Sequence, residues 1–540
     1  MRDQVALGQV GPAYWRRPWF LLALSLLTAV PLLLPDTPPL VDLPGHLGRY
    51  RIQLDLDSSE HLQRFFAFDW QLIGNLGVDL LVVPLAALVG LEPAVKLIVI
   101  AIPPLTAAGI FWTAHEVHGR VPPMTLFAIP FAYSFPFNFG FINFALSIAF
   151  AFLALAWWLS LTRNGRFRLR AAFFLAVSCV VWLCHAFGWG VLGVLVWGSE
   201  FARTREDGRT TLKSGVAATL SCAPLMAPIV LMALWRGGTA EGLTSGFFQF
   251  DLKLFALSAT LRDRWLPWDA LGAAAALVLL AAPAFDRRLS FAPALAVPAL
   301  LFAILFLLFP TKLFGSAYAD ARLVPVAIMV GLTALRLRPP AANGAPKAMA
   351  ALGCLFIAAR LGGNFVSFAQ ADSEARQHLA VVEPVPMGSR VLFLAEQQCG
   401  LAWALPRTSH LGSFVIVRRY GFANDQWDVP GAQLLRIVYE VPDAFRADPS
   451  QFFVPEACSG ANESAVIRYA GGGSSQIPSR EAALAGFPRA AFDYVWVIGA
   501  PAPGDALHPE LTPLRRTARS VLFLVQRHDR RDAQSGTRLR

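Results

Sequence analysis

Apolar runs of membrane-spanning length recur in this chain from Trp19 to Phe365, and no other feature narrows its fold as much. A bilayer core about 30 Å thick takes about 20 apolar residues of α-helix, and backbone inside it must satisfy its own hydrogen bonds. Only 15% of the 540 residues are charged and 55% are hydrophobic. Soluble domains carry about 25% charged residues. The expected fold is an α-helical polytopic membrane protein.

The candidate spans are 19–34, 76–91, 95–114, 122–137, 141–162, 171–184, 186–201, 213–235, 269–284, 291–309, 320–336 and 348–366. Pro103, Pro104, Pro130 and Pro136 predict kinks or broken helices, which neighbouring helices can satisfy. The first run follows Arg16 and Arg17 and lacks a small-residue cleavage site, so it reads as an uncleaved helix after a cytoplasmic N-terminus, residues 1–18. The net charge of +10 comes from 46 Lys and Arg against 36 Asp and Glu. The bases gather in short segments: Arg163 to Arg170, Arg203 to Arg209, Asp286 to Arg288, Arg336 to Pro340. Cytoplasmic loops explain them under the positive-inside rule, so the charge points to orientation and not to nucleic acid. Placing these loops inside leaves one crossing too many between 76 and 162. The span 122–137 is the one expected not to cross fully, which leaves about ten to twelve helices.

Past the membrane region 19–366 the pattern changes. "RVLFLA" (Arg390 to Ala395), "YVWVIGA" (Tyr494 to Ala500) and "VLFLVQR" (Val521 to Arg527) have the length and β-branched content of strands. Residues 367–526 are expected to form a periplasmic α/β domain, followed by a flexible basic tail, 527–540. Cys179, Cys184, Cys222 and Cys354 lie in apolar segments, as small hydrophobes do. Cys399 and Cys458 would be able to pair in an oxidising compartment. No metal-site cysteine or histidine spacing occurs.

One stretch breaks the avoidance of charge. "PDTPPLVDLPGHLGRYRIQLDLDSSEHLQRFFAFDW" (Pro35 to Trp70) lies in the first outer loop, 35–75, and holds Asp36, Asp42, Asp55, Asp57, Glu60 and Asp69 beside His46, Arg49 and other bases. Pro44 suits a helix start, which puts Asp42 at its N-terminus, where exposed N–H groups favour a carboxylate. His46 and Arg49 then share a face. Leu62, Phe65, Phe66 and Trp70 predict an amphipathic helix on the membrane surface. Simple solvation accounts for Asp55, Asp57 and Glu60. Asp42, wedged between prolines at the membrane edge, is a candidate for function.

This arrangement resembles the GT-C superfamily of membrane glycosyltransferases: one helix, a long outer loop with an early acid, many helices and a C-terminal outer domain. The resemblance implies a sugar donor carried on polyprenyl phosphate and a catalytic Asp in the first outer loop. In that family the Asp often has a Glu beside it; here "VDLPGH" holds Asp42 without the second acid. "KLFGSAYADARLVPVAIMV" (Lys312 to Val330) places Lys312, Tyr318, Asp320 and Arg322 before a helix, where many of these enzymes carry an Arg that contacts the lipid phosphate. A guanidinium offers a leaving phosphate bidentate, charge-assisted bonds. Pairing with Asp320 would leave Arg322 a purely structural role.

The resemblance thus implies Asp42 as general base, with Arg322 and Lys312 on the donor phosphate. His46, Arg49, Asp69, His185, Tyr318 and Asp320 are candidates to line the substrate space. Asn75, Asp79, Asn138 and Asn143 read first as packing or capping groups. No cofactor is called for beyond the lipid-linked donor, and metal dependence stays open. The acceptor would be an extracytoplasmic glycan, lipid or protein, and the location a bacterial inner (plasma) membrane. A transporter or flippase of lipid-linked glycans, or a non-catalytic assembly protein, is the alternative. A transporter would place charge within spans and often show internal repeats.

Overall fold

The computed structural model describes residues 13–234, 244–313, 315–338, 344–398, 402–429, 433–455, 477–499 and 510–526. Of the described residues, 63% are helical. Among the described residues, five helices are long and apolar enough to cross a membrane: Leu91–His118, Ile142–Arg163, Phe167–Cys184, Leu266–Ala284 and Ala345–Val382. Thr211–Ser221 and Ala223–Ala233 form a pair bent by 50°. Shorter apolar helices are Pro18–Leu33, Gly77–Val89, Pro293–Leu308 and Leu323–Ala334. The 21-residue helix Ala186–Glu206 packs against Ile142–Arg163 and Pro293–Leu308.

The prolines act differently from one another. Leu91–His118 runs through Pro103 and Pro104 as one 28-residue helix, about 42 Å at 1.5 Å per residue. Pro130 instead lies in an 11-residue 3-10 helix, Pro123–Tyr133, every residue of which is buried. At 2 Å per residue it is about 22 Å long, short of the bilayer core. A separate turn, Phe135–Phe139, follows it. The predicted span 122–137 is therefore not one regular helix.

The sequence reading of the outer loop needs one correction. Pro44 does sit in the first turn of a helix, Leu43–Asp55, with Asp42 at its N-cap. The amphipathic surface helix does not form. Only Glu60–Gln63 is helical there, and Phe66–Phe68 is a strand, β1. Phe65 and Phe66 find an apolar partner in the C-terminal domain, where they pack with Phe422, so pairing replaces membrane contact.

The remaining strands are β2 (Leu289–Phe291), β3 (Leu335–Leu337), β4 (Arg390–Glu396), β5 (Phe422–Ala423), β6 (Leu435–Ile437), β7 (Phe452–Phe453), β8 (Tyr494–Ile498), β9 (Leu511–Arg516) and β10 (Ser520–Val525). β1 pairs antiparallel with β6, Phe66 opposite Ile437. The C-terminal sheet has the order β5-β4-β8-β10-β9, with β7 also on β4. β4 is parallel to β5, β7 and β8, and β10 is antiparallel to β8 and β9. β4 is nearly all buried, as its unbroken apolar run requires of a strand covered on both faces. The helix expected to end at 366 continues to Leu379, so the first strand of the sheet starts only at Arg390. Cys399, Cys458 and the tail 527–540 lie outside the described residues.

The helix Leu43–Asp55 lies between the membrane helices and the C-terminal domain. It packs on Ser413–Arg419, and two glycines set the distance. A Cβ on Gly45 would meet the Trp427 ring at 2.6 Å, and one on Gly48 would meet Gln426 Nε2 at 2.5 Å. Gln426 Nε2 donates to Gly45 O at 3.0 Å and to Ser413 Oγ at 2.7 Å. Farther out, Arg51 Nε donates to Val417 O at 3.1 Å and Arg418 pairs with Glu92 at 2.8 Å.

Candidate active site

The site begins with the backbone of Asp42. Its N–H donates to Phe139 O at 2.9 Å, and Val41 N–H donates to Asn138 O at 3.3 Å. Gly140, at φ +109°, leaves no room for a Cβ, which would stand 2.8 Å from Asp42 N. "FNFGF" (Phe137 to Phe141) thus clasps the start of the outer-loop helix. Asn138 donates to the carbonyls of Tyr133 at 3.0 Å and Arg262 at 3.3 Å, and Asn143 bonds Val78 N, Asn75 and Asp79. Both asparagines are structural.

The Asp42 carboxyl is buried, and no hydrogen bond of the described residues occupies it. Burial raises its pKa well above the ordinary carboxylate value. Asp448 raises it further, and Arg322 pulls in the opposite direction. His46, a turn farther along, has its pKa pushed down by burial, then by Arg49 and His410, while the Gly140 carbonyl opposes the change. Its ring packs against Trp427, with centroids 5.1 Å apart.

Arg322 caps the helix Leu323–Ala334 and is 5% exposed. Asp320 is not its partner: that carboxylate pairs with Lys253 at 3.0 Å. No described carboxylate lies within ion-pair distance of Arg322. Its NH2 donates to Ala317 O at 3.2 Å, its Nε has no partner among the described residues, and the guanidinium stands 4.2 Å over the Phe141 ring. His185 Nε2 is 3.5 Å from Arg322 NH1. Nδ1 of His185 accepts from Phe187 N–H, so in the neutral ring Nε2 carries the proton and cannot accept from Arg322. A buried, stacked guanidinium with unused donors suits an anion that presents two oxygens to its fork.

Several other buried charges are matched, although Arg262 is held by backbone carbonyls and Asp425 by a backbone N–H. Arg49 pairs with Asp79 at 2.9 Å, Arg170 with Glu200 at 2.7 Å and Arg360 with Asp269 at 3.1 Å. Arg49 is therefore turned to the second helix and not to the space beside Asp42. Tyr318 packs on Phe135, Phe139 and Phe141, and burial pushes its hydroxyl pKa up, with Arg262 opposing and Asp42 adding. Lys312 is half-buried and its backbone pairs with Ser245. Asp69 is exposed at the end of β1, its N–H bonded to Leu434 O at 2.9 Å. The structure sets His185 beside Arg322 and His46 a turn from Asp42, and draws Arg49 and Asp320 into ion pairs elsewhere.

Several groups at this site have no signal in the sequence, because the C-terminal domain brings them. His410 Nε2 lies 3.8 Å from Asp42 Oδ1 and 4.0 Å from Asp448 Oδ1. Arg262 donates to the carbonyls of Trp403 at 2.6 Å and Ala402 at 2.7 Å. A separate cavity of about 480 Å³ opens between the two domains, lined by Arg262, Arg264, His378, Glu396, Arg407 and Arg519 among others, and neither Asp42 nor Arg322 lines it. Among the described residues, no group of three or more His, Cys, Asp or Glu is placed to hold a metal ion.

No family profile matches this chain, and no curated protein is similar to it. It is similar to two crystal structures of ArnT from Cupriavidus metallidurans, one bound to undecaprenyl phosphate and one in the apo state. Each is 14% identical and covers 94% of this chain and 97% of its own, with TM-scores of 0.42 and 0.44.

Proposed function

We propose that this protein is an inverting membrane glycosyltransferase that moves a sugar from a polyprenyl-phosphate carrier to a hydroxyl of an extracytoplasmic glycan, lipid or protein. One observation carries this reading. Among the described residues, a buried carboxyl with no hydrogen bond, Asp42, and a buried guanidinium with no carboxylate partner, Arg322, both lie against Phe139–Phe141, the first through its N–H to Phe139 O and the second stacked on the Phe141 ring.

Asp42 takes the proton of the acceptor hydroxyl while that oxygen bonds the anomeric carbon. The bond from that carbon to the phosphate oxygen breaks on the opposite face, and its electron pair stays on the phosphate. Arg322 meets the developing charge, with Lys312 as a second cation from the adjoining loop. Burial strengthens this attraction because little water competes for it. A single displacement inverts the anomeric centre. The chain would lie in a bacterial inner membrane with the C-terminal domain on the periplasmic side.

The helices do hold charge, as a transporter's would, but Arg170, Lys253 and Arg360 are each paired with a carboxylate, which suits a structural role. Mass spectrometry of envelope glycans from cells with and without the gene tests the proposal. A sugar missing without the gene and restored by the wild-type chain, but not by Asp42→Asn, is the expected result. Identical glycans in all strains would overturn it.

A further inference from the structure

We infer that His410 and Asp448, both from the C-terminal domain, form a proton exit for Asp42, an inference that rests on the function proposed above. The geometry defines the route. His410 Nδ1 is 2.8 Å from the backbone carbonyl of Asp425, which can only accept, so Nδ1 carries a proton. In the neutral ring Nε2 is then a lone pair. That lone pair faces two carboxyls, Asp42 at 3.8 Å and Asp448 at 4.0 Å. Two carboxyls that face one imidazole nitrogen hold together best when a proton is shared through it.

Side-chain exposure orders them. It is 12% for Asp42, 5% for His410 and 24% for Asp448, so only Asp448 reaches water to a useful extent. Gln451 Nε2 donates to Asp448 Oδ1 at 2.7 Å and holds it in place. The titratable and charged groups around the imidazole are Asp42 and His46 from the outer-loop helix, Asp448 from the loop before β7, and Asp425, whose carboxylate accepts from Ser413 N–H at 2.7 Å. The Trp427 ring covers the imidazole, with centroids 4.6 Å apart. The absence of a side chain at Gly45 admits both rings, since a Cβ there would stand 3.4 Å from His410 Cγ.

The steps balance without a further reagent. Sugar transfer leaves the acceptor's proton on Asp42. It passes to His410 Nε2, forming the imidazolium, and from the same Nε2 to Asp448 and then to water. Asp42 is returned to its ionised form. Contacts near 4 Å are long for proton transfer, but such contacts in unliganded enzymes shorten in the substrate complex. His410 acts through Asp42 and does not touch the sugar.

The test uses membrane vesicles carrying the full chain with their own lipid-linked sugars and acceptors, and follows the gene-dependent glycan by mass spectrometry. His410→Ala is expected to slow transfer by about 10²-fold, a usual size for a lost acid–base group. Added imidazole should restore at least tenfold of it, because the truncation leaves a ring-sized space beside Asp42. His410→Gln, which keeps a donor for the Asp425 carbonyl, should stay slow and gain nothing from imidazole. An unaltered rate in His410→Ala, a fully active His410→Gln, or a folded but slow His410→Ala indifferent to imidazole would overturn the relay. Loss of transfer in Asp42→Asn alone would leave the proposed function standing. Full activity in Asp42→Asn would remove that function as well.

Discussion

His410 Nε2 stands 3.8 Å from Asp42 Oδ1, although 368 positions separate the two residues in the chain. The contact joins the first outer loop to the C-terminal domain at the point where the candidate chemistry lies. It also means that Asp42 is not a loop carboxylate in water.

Asp42→Asn should reduce transfer by about 10²- to 10⁴-fold, the usual contribution of a positioned base. The thermal midpoint should hold or rise. Burial and Asp448 already disfavour the ionised form, so a neutral amide of the same shape removes a strained charge. A midpoint measured in detergent beside the rate in vesicles checks both.

The acid limb of the pH–rate profile should lie above the ordinary carboxylate range. Asp42 must be ionised to act, and its raised pKa means that protonation on acidification begins at a higher pH. Asp448→Asn removes a repelling charge, so the limb should move to lower pH, while the plateau falls through loss of the exit. Arg322→Gln removes an attracting charge and should move the limb to higher pH. Initial rates between pH 4 and pH 9 read the shifts, and limbs that do not move would separate Asp42 from the titration.

Arg322→Lys should lose most activity, about 10²-fold, although the charge is kept. A lysine has neither the planar fork nor the stacking surface that Phe141 meets. Arg322→Gln should lose about 10³-fold at the level of a removed electrostatic stabiliser. Equal rates in wild type and the Lys variant would assign Arg322 to packing.

Arg49→Met should destabilise the fold by about 3–5 kcal/mol, because it leaves Asp79 buried and unpaired. Adding Asp79→Leu should recover most of the loss. Thermal midpoints of the single and double variants decide the matter, and the double variant should keep transfer.

Gly45→Ala should cost about 1–3 kcal/mol by overpacking against Trp427 and should slow transfer by displacing the His410 ring. A change at the domain interface altering rate and midpoint together would mark the docking as part of the site. A fall in the midpoint alone would limit Gly45 to packing.

Much of this protein is legible before any coordinates. Apolar runs of the right length demand helices because the bilayer leaves the backbone no other partner. Pro44 marks the start of the outer-loop helix because it suits a first turn, and Asp42 falls at the cap for the same reason. The β-rich runs after Ala369 become β4, β8 and β10 because their side chains fit a buried sheet. Those signals are local, and local periodicity reports them.

Only the tertiary structure decided where the charges point. Arg49 and Arg322 look alike in sequence, yet Asp79 neutralises the first, while Asp320 turns to Lys253 and leaves the second open. Phe66, set at helical spacing in the chain, becomes a strand residue because β6 offers pairing that the membrane surface cannot. His410 and Asp448 gave no sign at all, since their meeting with Asp42 depends on the close approach that Gly45 and Gly48 permit. Charge and hydrogen bonding act through space at a few ångströms. A chain that folds back across hundreds of residues settles such distances only when its domains pack.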